Sequence, residues 1–285
     1  SRTMGYLGYD AATTEFVTSS VATWANKINV IVNSVAMGLT VSLIPNIVEA
    51  FTLKKWSLVE KRLNKAIQII LVTCIPMVLG ISFLAKPIWN IFYGNSNLEL
   101  GSIVLGVSIF GALFYNIYMI TSMTLQSLNK FKAVYFTTFL GYLTNAFLDV
   151  PLMLLCHRLN LQPFIGALLA TILGYTLAST SALIILRKHH QLKYHESYKM
   201  FGKILVPSLC MMLVVFLVAR LCPISYNSRT SCIFYVFLTS VSGAIVYLFI
   251  AYKMKILDNV FGKEYLDRII RKLTFNKWPK KNTKN

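Results

Sequence analysis

The 285 residues carry 28 Lys and Arg against 10 Asp and Glu, a formal net charge of +18, yet only 13% of the chain is charged and 56% is hydrophobic. Soluble domains are about one quarter charged, so this composition excludes an ordinary water-facing globule and identifies a membrane protein. The basic residues are separated by long apolar runs, which leaves no continuous groove along which a phosphate backbone could be neutralised, and nucleic acid is excluded as a partner.

A hydrocarbon core of about 30 Å takes about 20 helical residues to cross, and seven segments qualify in chain order. They run from Ser19 to Ile44, Ile67 to Lys86, Gly101 to Ser127, Ala133 to Cys156, Phe164 to Leu186, Ile204 to Leu221 and Cys232 to Tyr252. Backbone groups in lipid must be paired within their own segment, so all are helices. The expected fold is an all-α polytopic bundle. Two further stretches read as amphipathic helices lying on a leaflet. In one, Leu53 to Ala66, the residues Trp56, Val59, Leu63 and Ala66 recur at helical spacing. The other, Lys255 to Phe275, sets Ile256, Val260, Phe261, Ile269, Ile270 and Leu273 among basic residues.

Of the 28 basic residues, 22 fall in the connections on one side, among them Lys54, Lys55, Lys61, Arg62 and Lys65, then Lys130 and Lys132, then Arg187 to Lys203, then the tail after Lys253. Five lie on the other side, Arg2, Lys86, Arg158, Arg220 and Arg229. The positive-inside bias therefore makes the C-terminus cytoplasmic and residue 1 external. No signal peptide is seen to carry such an N-terminus across, so the expectation is that an odd number of spans precedes Ser1 in a larger protein. The resulting division is an external segment 1–18, membrane helices 19–200, a last pair of spans 201–254 and a basic cytoplasmic tail 255–285.

The twenty-eighth cation, Lys27, falls inside the first span. There, Val17, Val21, Ile28, Val32, Val35, Leu39 and Leu43 make an apolar face with Trp24 and Ala25. Asn26, Asn29, Asn33 and Thr40 occupy the opposite side, flanked by Thr23, Ser34 and Lys27, so the helix has a wet or protein-facing side. A lysine costs about 2.5–3.5 kcal/mol at mid-bilayer. Lys27 lies about 12 Å inside the external end at 1.5 Å per residue, so snorkelling relieves only part of that. Two roles stay open for it: a functional cation in a central cavity, or a snorkelling or ion-paired structural residue.

The fourth span carries a stripe of Thr138, Tyr142, Asn145 and Asp149 just before Pro151. Asp149 lies at a depth similar to Lys27. It is open to pairing with Lys27, to ligating an ion together with Asn145 or carrying a proton, and to capping a helix distorted by Pro151. Tyr115, Tyr118, Ser122 and Gln126 follow one face of the third span with Asn116 beside them, as interhelical hydrogen-bonding groups or as cavity lining.

No paired carboxylates, HExxH, GxSxG or phosphate loop occur, and His157, His189, His190 and His195 all lie in connections. Cys74, Cys156, Cys210, Cys222 and Cys232 lack metal-binding spacing. Cys222 and Cys232 flank one short loop and are either free or bridged across it. The chain is read as a non-enzyme with no metal and no cofactor.

The run MGLTVSLIPNIVEAF from Met37 to Phe51, the linker KKWSLVEKRLNKAI, a span with Pro76 and Gly80, and LAKPIWNIFYG from Leu84 to Gly94 together form a familiar order. With NAFLDVPLM from Asn145 and FIGALLATILGY from Phe164, it resembles the polysaccharide-transport branch of the MOP exporter superfamily. Within that branch it is most like the MurJ-type lipid II flippases and the stage V sporulation protein B group. The resemblance implies spans eight to fourteen of a fourteen-helix, two-lobe flippase whose first lobe is a missing partner. It also implies a central cationic cavity, an apolar groove for the lipid tail in the last two spans, and a polyprenyl-diphosphate-linked oligosaccharide as cargo among the membrane lipids. Where lipid II flippases have an Ala-Asp-Arg run implicated in diphosphate binding, this chain has Ala25-Asn26-Lys27. Lysine keeps a point charge and loses the bidentate fork of arginine. The expected substrate-binding set is Lys27, Asn26, Asn29 and Asn33, with Asp149 and Asn145 as ion-coupling candidates. The rival readings are a cation-coupled drug exporter of the same superfamily, a polytopic glycosyltransferase or ligase acting on lipid-linked sugars, and a non-transporting scaffold.

Overall fold

The computed structural model describes residues 2–222 and 228–263, leaving aside the side chains of His189 and His190. Among these residues there are helices and turns but no strand. Short α1 (Arg2–Tyr6) leads to α2 (Ala11–Ser19), a π-helical turn (Ser20–Trp24), α3 (Ala25–Thr40), a 3-10 turn (Val41–Leu43) and α4 (Ile44–Thr52). Then come α5 (Trp56–Phe83), α6 (Ala85–Tyr93), α7 (Leu98–Ser127), α8 (Phe131–Arg158), α9 (Pro163–His190), α10 (His195–Leu221), α11 (Arg229–Lys253) and α12 (Ile256–Phe261). Seven of these units are long and apolar enough to cross a membrane: Ala11–Thr52, Trp56–Phe83, Leu98–Ser127, Phe131–Arg158, Pro163–Lys188, His195–Leu221 and Arg229–Lys253. The chain is a multi-pass membrane protein with the seven expected spans, most of them longer than hydropathy alone indicates.

The first unit is 42 residues long and absorbs its length in two irregular turns. Asp10 caps α2 by accepting from the Thr13 amide at 3.0 Å, and the Thr13 hydroxyl together with that amide holds its carboxyl below the usual carboxylate range. In the π turn the Ala25 amide reaches back to Ser20. At the other end Pro45 cannot continue the hydrogen-bond ladder, and the chain tightens so that the Ile44 amide bonds to the Val41 carbonyl.

Helix α5 is the spine of the bundle. The expected interfacial helix of residues 53–66 is a correction: the chain turns at Lys54, with φ of 54°, and from Trp56 is already α5. Val59, Leu63 and Ala66 are fully buried there. Two polar groups explain why this stretch turns inward. Asn64 donates to the Lys193 carbonyl at 2.7 Å and accepts from Ser197 at 2.6 Å, while Glu60 accepts from the Lys193 amide at 3.0 Å. The connection between α9 and α10 thus shrinks to four residues clamped on α5, two of which, Leu192 and Tyr194, are buried. The second expected leaflet helix is corrected as far as it is described: Ile256, Leu257 and Val260 of α12 pack into the core. Ile269, Ile270 and Leu273 lie outside the described residues.

Pro76, Pro151 and Pro207 sit inside continuous helices. Pro76 has no N–H for the Val72 carbonyl one turn earlier, and the Tyr247 hydroxyl of α11 donates to that oxygen at 2.7 Å instead. Such re-satisfaction by a neighbouring helix is what lets proline persist in a spanning segment.

The α8–α9 pair packs through small residues. Gly166, Ala170, Gly174, Ala178 and Ala182 recur every fourth residue along α9. A Cβ on Gly166 would stand 2.4 Å from the Leu152 carbonyl oxygen, and one on Gly174 would stand 2.8 Å from that of Gly141. The two backbones therefore touch, and α8 leaves most of its other faces exposed, with Phe139, Tyr142 and Phe147 all well over half accessible.

Candidate functional site

Helices α3, α7, α8 and α9 enclose two neighbouring concavities. One, of about 410 Å³, is lined from α3 by Asn26, Asn29, Asn33 and Val30, from α7 by Ser108 and Tyr115, and from α9 by Thr171 and Tyr175. The other, of about 290 Å³, lies between α7, α8 and α9 and takes in Tyr118, Thr138, Tyr142 and Asn145. Tyr115, Thr171 and Tyr175 line both, so the two form one cleft.

Helical periodicity sets the α3 wall. Ala25, Ile28, Asn29, Val32, Ala36 and Thr40 form its buried stripe, and the asparagines at 29 and 33 follow one edge of it. Asn29 donates to the Ser108 hydroxyl at 3.4 Å. Its Oδ1 has no partner although the residue is only 8% exposed. The Asn33 oxygen accepts from Asn116 Nδ2 at 2.9 Å, and the same amide group donates to the Ala112 carbonyl at 2.7 Å. Asn26 is exposed at the rim and donates to Ala22 of its own helix at 3.2 Å. On the far side, Asn145 donates to Thr171 at 2.9 Å, Tyr118 is hydrogen-bonded to Thr138, and the Tyr115 and Tyr175 rings meet edge to face at 5.3 Å.

Three of the expected residues, Asn26, Asn29 and Asn33, are thus brought together, and Asn145 joins them through Thr171. Lys27 is exposed on the side of α3 away from the buried stripe and outside the cleft lining. Asp149 is half-buried on α8. Neither makes an ion pair with the other or with another described residue, so of the readings left open for Asp149 the pairing with Lys27 is not formed in this structure. Among the described residues the ion pairs that do form are Arg62 with Glu49 at 3.1 Å and Lys86 with Glu99. Ser122 accepts from Gln126 on its own helix at 3.4 Å, and neither lines the cleft. Cys222 is exposed, Cys232 is buried, and both are free thiols.

A second cavity, of about 420 Å³, is of opposite character. Its walls are Val72, Pro76, Met77, Gly80 and Ile81 of α5, Leu84 just after it, Met211 and Val215 of α10, Gly243, Ala244 and Tyr247 of α11, with Leu257 and Phe261 of α12 at one end. Gly243 lets α11 approach α10: a Cβ there would stand 2.6 Å from a Val215 methyl. This apolar cavity lies between the last two spans, with α5 as its third wall. Pro76 and Gly80, quoted above as motif residues, line it. Tyr175, Thr171 and Ser108 were not picked out from the sequence. The signal that could have found Thr171 and Tyr175 is their place beside the every-fourth-residue ladder of α9.

The MatE family model matches residues 17–150. Among curated proteins, the lipid II flippase MurJ of Bacillus subtilis (strain 168) is 30% identical over 245 residues, covering 84% of this chain and 44% of that protein. A solved structure of a lipid II flippase MurJ in an inward closed conformation superposes with a TM-score of 0.66 at 20% identity, over 84% of this chain and 47% of that one. The chain spans about half the length of both relatives. Sequence and structure agree that this chain is similar to the lipid II flippase MurJ over about half of that protein's length, and residues 17–150 match the MatE family of the MOP superfamily.

Proposed function

We propose that this chain is the C-terminal lobe of a flippase that moves a polyprenyl-diphosphate-linked oligosaccharide or cell-wall precursor from the cytoplasmic to the outer leaflet by alternating access. The observation that carries this reading is the presence, in one bundle, of a polar cleft and a separate apolar groove. A lipid-linked glycan has a hydrophilic head that must cross and a long tail that stays in hydrocarbon, and the two cavities suit those two parts. The similarity to lipid II flippases over 84% of the chain supports the same reading.

In this account residue 1 is external and the C-terminus cytoplasmic, with 1–18 outside, 19–200 forming the lobe, 201–254 with α5 holding the tail, and 255–285 on the cytoplasmic face. The other lobe is supplied by sequence outside this chain. Lys27, on the exposed side of α3, faces the space between lobes and offsets the cost of taking a diphosphate out of water, a cost far too large to leave uncompensated. Asn26, Asn29 and Asn33, in the cleft lining that leaves Lys27 out, bind the uncharged part of the cargo through neutral hydrogen bonds, and Asp149 with Asn145 couples an ion. A cation-coupled small-molecule exporter is the second reading, favoured by the match of the MatE model to residues 17–150. Such an exporter has no use for a groove on α10 and α11.

The test is complementation of a strain depleted of its lipid II flippase by the full gene that carries this segment, as wild type, Lys27→Arg and Lys27→Ala. Growth with wild type and Lys27→Arg and none with Lys27→Ala is the expected result. Full growth with Lys27→Ala removes the diphosphate role of Lys27. Absence of growth with wild type makes the cargo a different lipid-linked glycan or a different class of molecule.

A further inference from the structure

The cleft between α3, α7, α8 and α9 has a chemistry of its own: among the described residues, no charged side chain lines either of its concavities. Three asparagines on α3, Asn145 on α8 and the hydroxyls of Ser108, Thr138 and Thr171 give it paired donors and acceptors. Tyr115, Tyr118, Tyr142 and Tyr175 give it aromatic surface. Such a lining cannot stabilise a desolvated diphosphate, which needs opposite charge. It suits an uncharged ring edged with hydroxyl and amide groups. Asparagine offers a donor and an acceptor from one group, and the electron-rich face of a tyrosine packs against C–H bonds.

A second observation points to a ligand. Asn29 Oδ1 is nine-tenths buried in the wall and unpaired, a cost of about 1–3 kcal/mol unless a donor reaches it. Its amide nitrogen is already turned to Ser108, so the oxygen is the free end. Volumes of about 410 and 290 Å³ fall in or near the range of small-ligand pockets, about 300–1,000 Å³.

Resting on the flippase reading above, we propose that this cleft is a saccharide subsite: it takes the uncharged, N-acetylated pyranose portion of the cargo, with ring faces on Tyr115 and Tyr175 and a hydroxyl or amide donor on Asn29 Oδ1. The diphosphate is bound elsewhere, by the cation outside the cleft. Recognition is thereby divided, with glycan identity read by neutral groups of this lobe.

The experiment uses the full-length protein that carries this chain, in detergent, with binding followed by native mass spectrometry. Three probes are offered: a glycosylated polyprenyl diphosphate, the same lipid without sugar, and free N,N′-diacetylchitobiose. Tyr175→Ala and Asn29→Ala are each expected to weaken the disaccharide and the glycolipid by about tenfold, while the sugarless lipid binds as to wild type. Retained binding of that lipid also reports that the variants are folded. Tyr175→Phe, which keeps the ring, is expected to keep most of the disaccharide affinity. Equal losses for all three probes, or no loss for the disaccharide, overturns the subsite. Wild type that binds both lipids alike and no disaccharide overturns the subsite and leaves the flippase reading standing. Wild type that binds the disaccharide and neither lipid overturns the flippase reading and leaves the subsite.

Discussion

The hydrogen bond from Tyr247 to the Val72 carbonyl exists because Pro76 has no N–H, and this causal claim can be tested by a double-mutant cycle. Val72 is 4% exposed and Tyr247 5%, so water cannot replace the hydroxyl when it is removed. Tyr247→Phe therefore leaves a buried carbonyl short of a partner and costs about 1–3 kcal/mol. Pro76→Ala restores an N–H one turn after Val72, and in that background the same change removes only a second donor, worth about 0.5 kcal/mol. The expected coupling is about 1–2 kcal/mol. Thermal unfolding in mild detergent reads it as a loss of about 2–4 °C per kcal/mol for Tyr247→Phe that shrinks in the Pro76→Ala protein. If Tyr247→Phe costs the same in both backgrounds to within about 0.5 kcal/mol, the hydroxyl is not serving the proline-orphaned carbonyl and the reasoning fails.

Gly166→Ala is expected to destabilise by about 1–3 kcal/mol, because its Cβ falls 2.3 Å from the Leu152 carbonyl carbon, whereas Gly80→Ala, with nothing within 4 Å, is neutral or gains up to about 1 kcal/mol; unfolding midpoints of the two variants decide. Cys222 is exposed and Cys74 and Cys232 are buried, so a membrane-impermeant maleimide added to intact cells labels Cys222 if its loop is external, and labelling only after permeabilisation reverses the proposed orientation. Burial raises the phenol of Tyr194, which donates to the Leu183 carbonyl at 3.1 Å. Its neutral form is therefore favoured by folding, a contribution complete below the unfolded value of about 10 and lost as pH climbs through the higher folded value. Denaturation midpoints are expected to fall above that pH in the wild type and to fall less in Tyr194→Phe.

The span count was legible because a bilayer imposes a minimum apolar length, and each of the seven segments meets it unaided. Their ends were not, since hydropathy scores lipid compatibility and is blind to protein cover. Val59, Leu63 and Ala66 alternate with lysines as a leaflet helix would, yet Asn64 and Glu60 bind the connection after α9 and fold this stretch into the core. The sequence pattern is the same in both cases; only the tertiary partner differs. Angular sorting on the first span found Asn26, Asn29 and Asn33 together on one side of α3. It also assigned Val35 and Leu39 to one apolar face with Ile28 and Val32, and they are exposed where those two are buried. An apolar side chain can face lipid or protein at similar cost, so periodicity could not divide that set. Pairing of Lys27 with Asp149 was one option left open by their similar depth, and depth fixes height in the membrane without fixing azimuth.

The two cavities are built on different helices, and side chains packed behind each of them reach one turn of α5. The Asn33–Asn116 bond that joins α3 to α7 extends to Cys74, whose sulfur lies 3.8 Å from the Asn116 amide nitrogen. Two residues earlier, the Val72 carbonyl receives Tyr247 from the groove. Cys74 and Val72 are both buried, and a two-residue step on a helix turns about 200°, so one turn presents the cleft's polar ladder on one side and the groove's on the other. Close-packed interiors transmit displacement. A shift of α3 against α7 large enough to open the cleft must therefore break the Asn33–Asn116 bond, worth about 1 kcal/mol net, while the contact of Asn116 with Cys74 keeps α7 seated on α5.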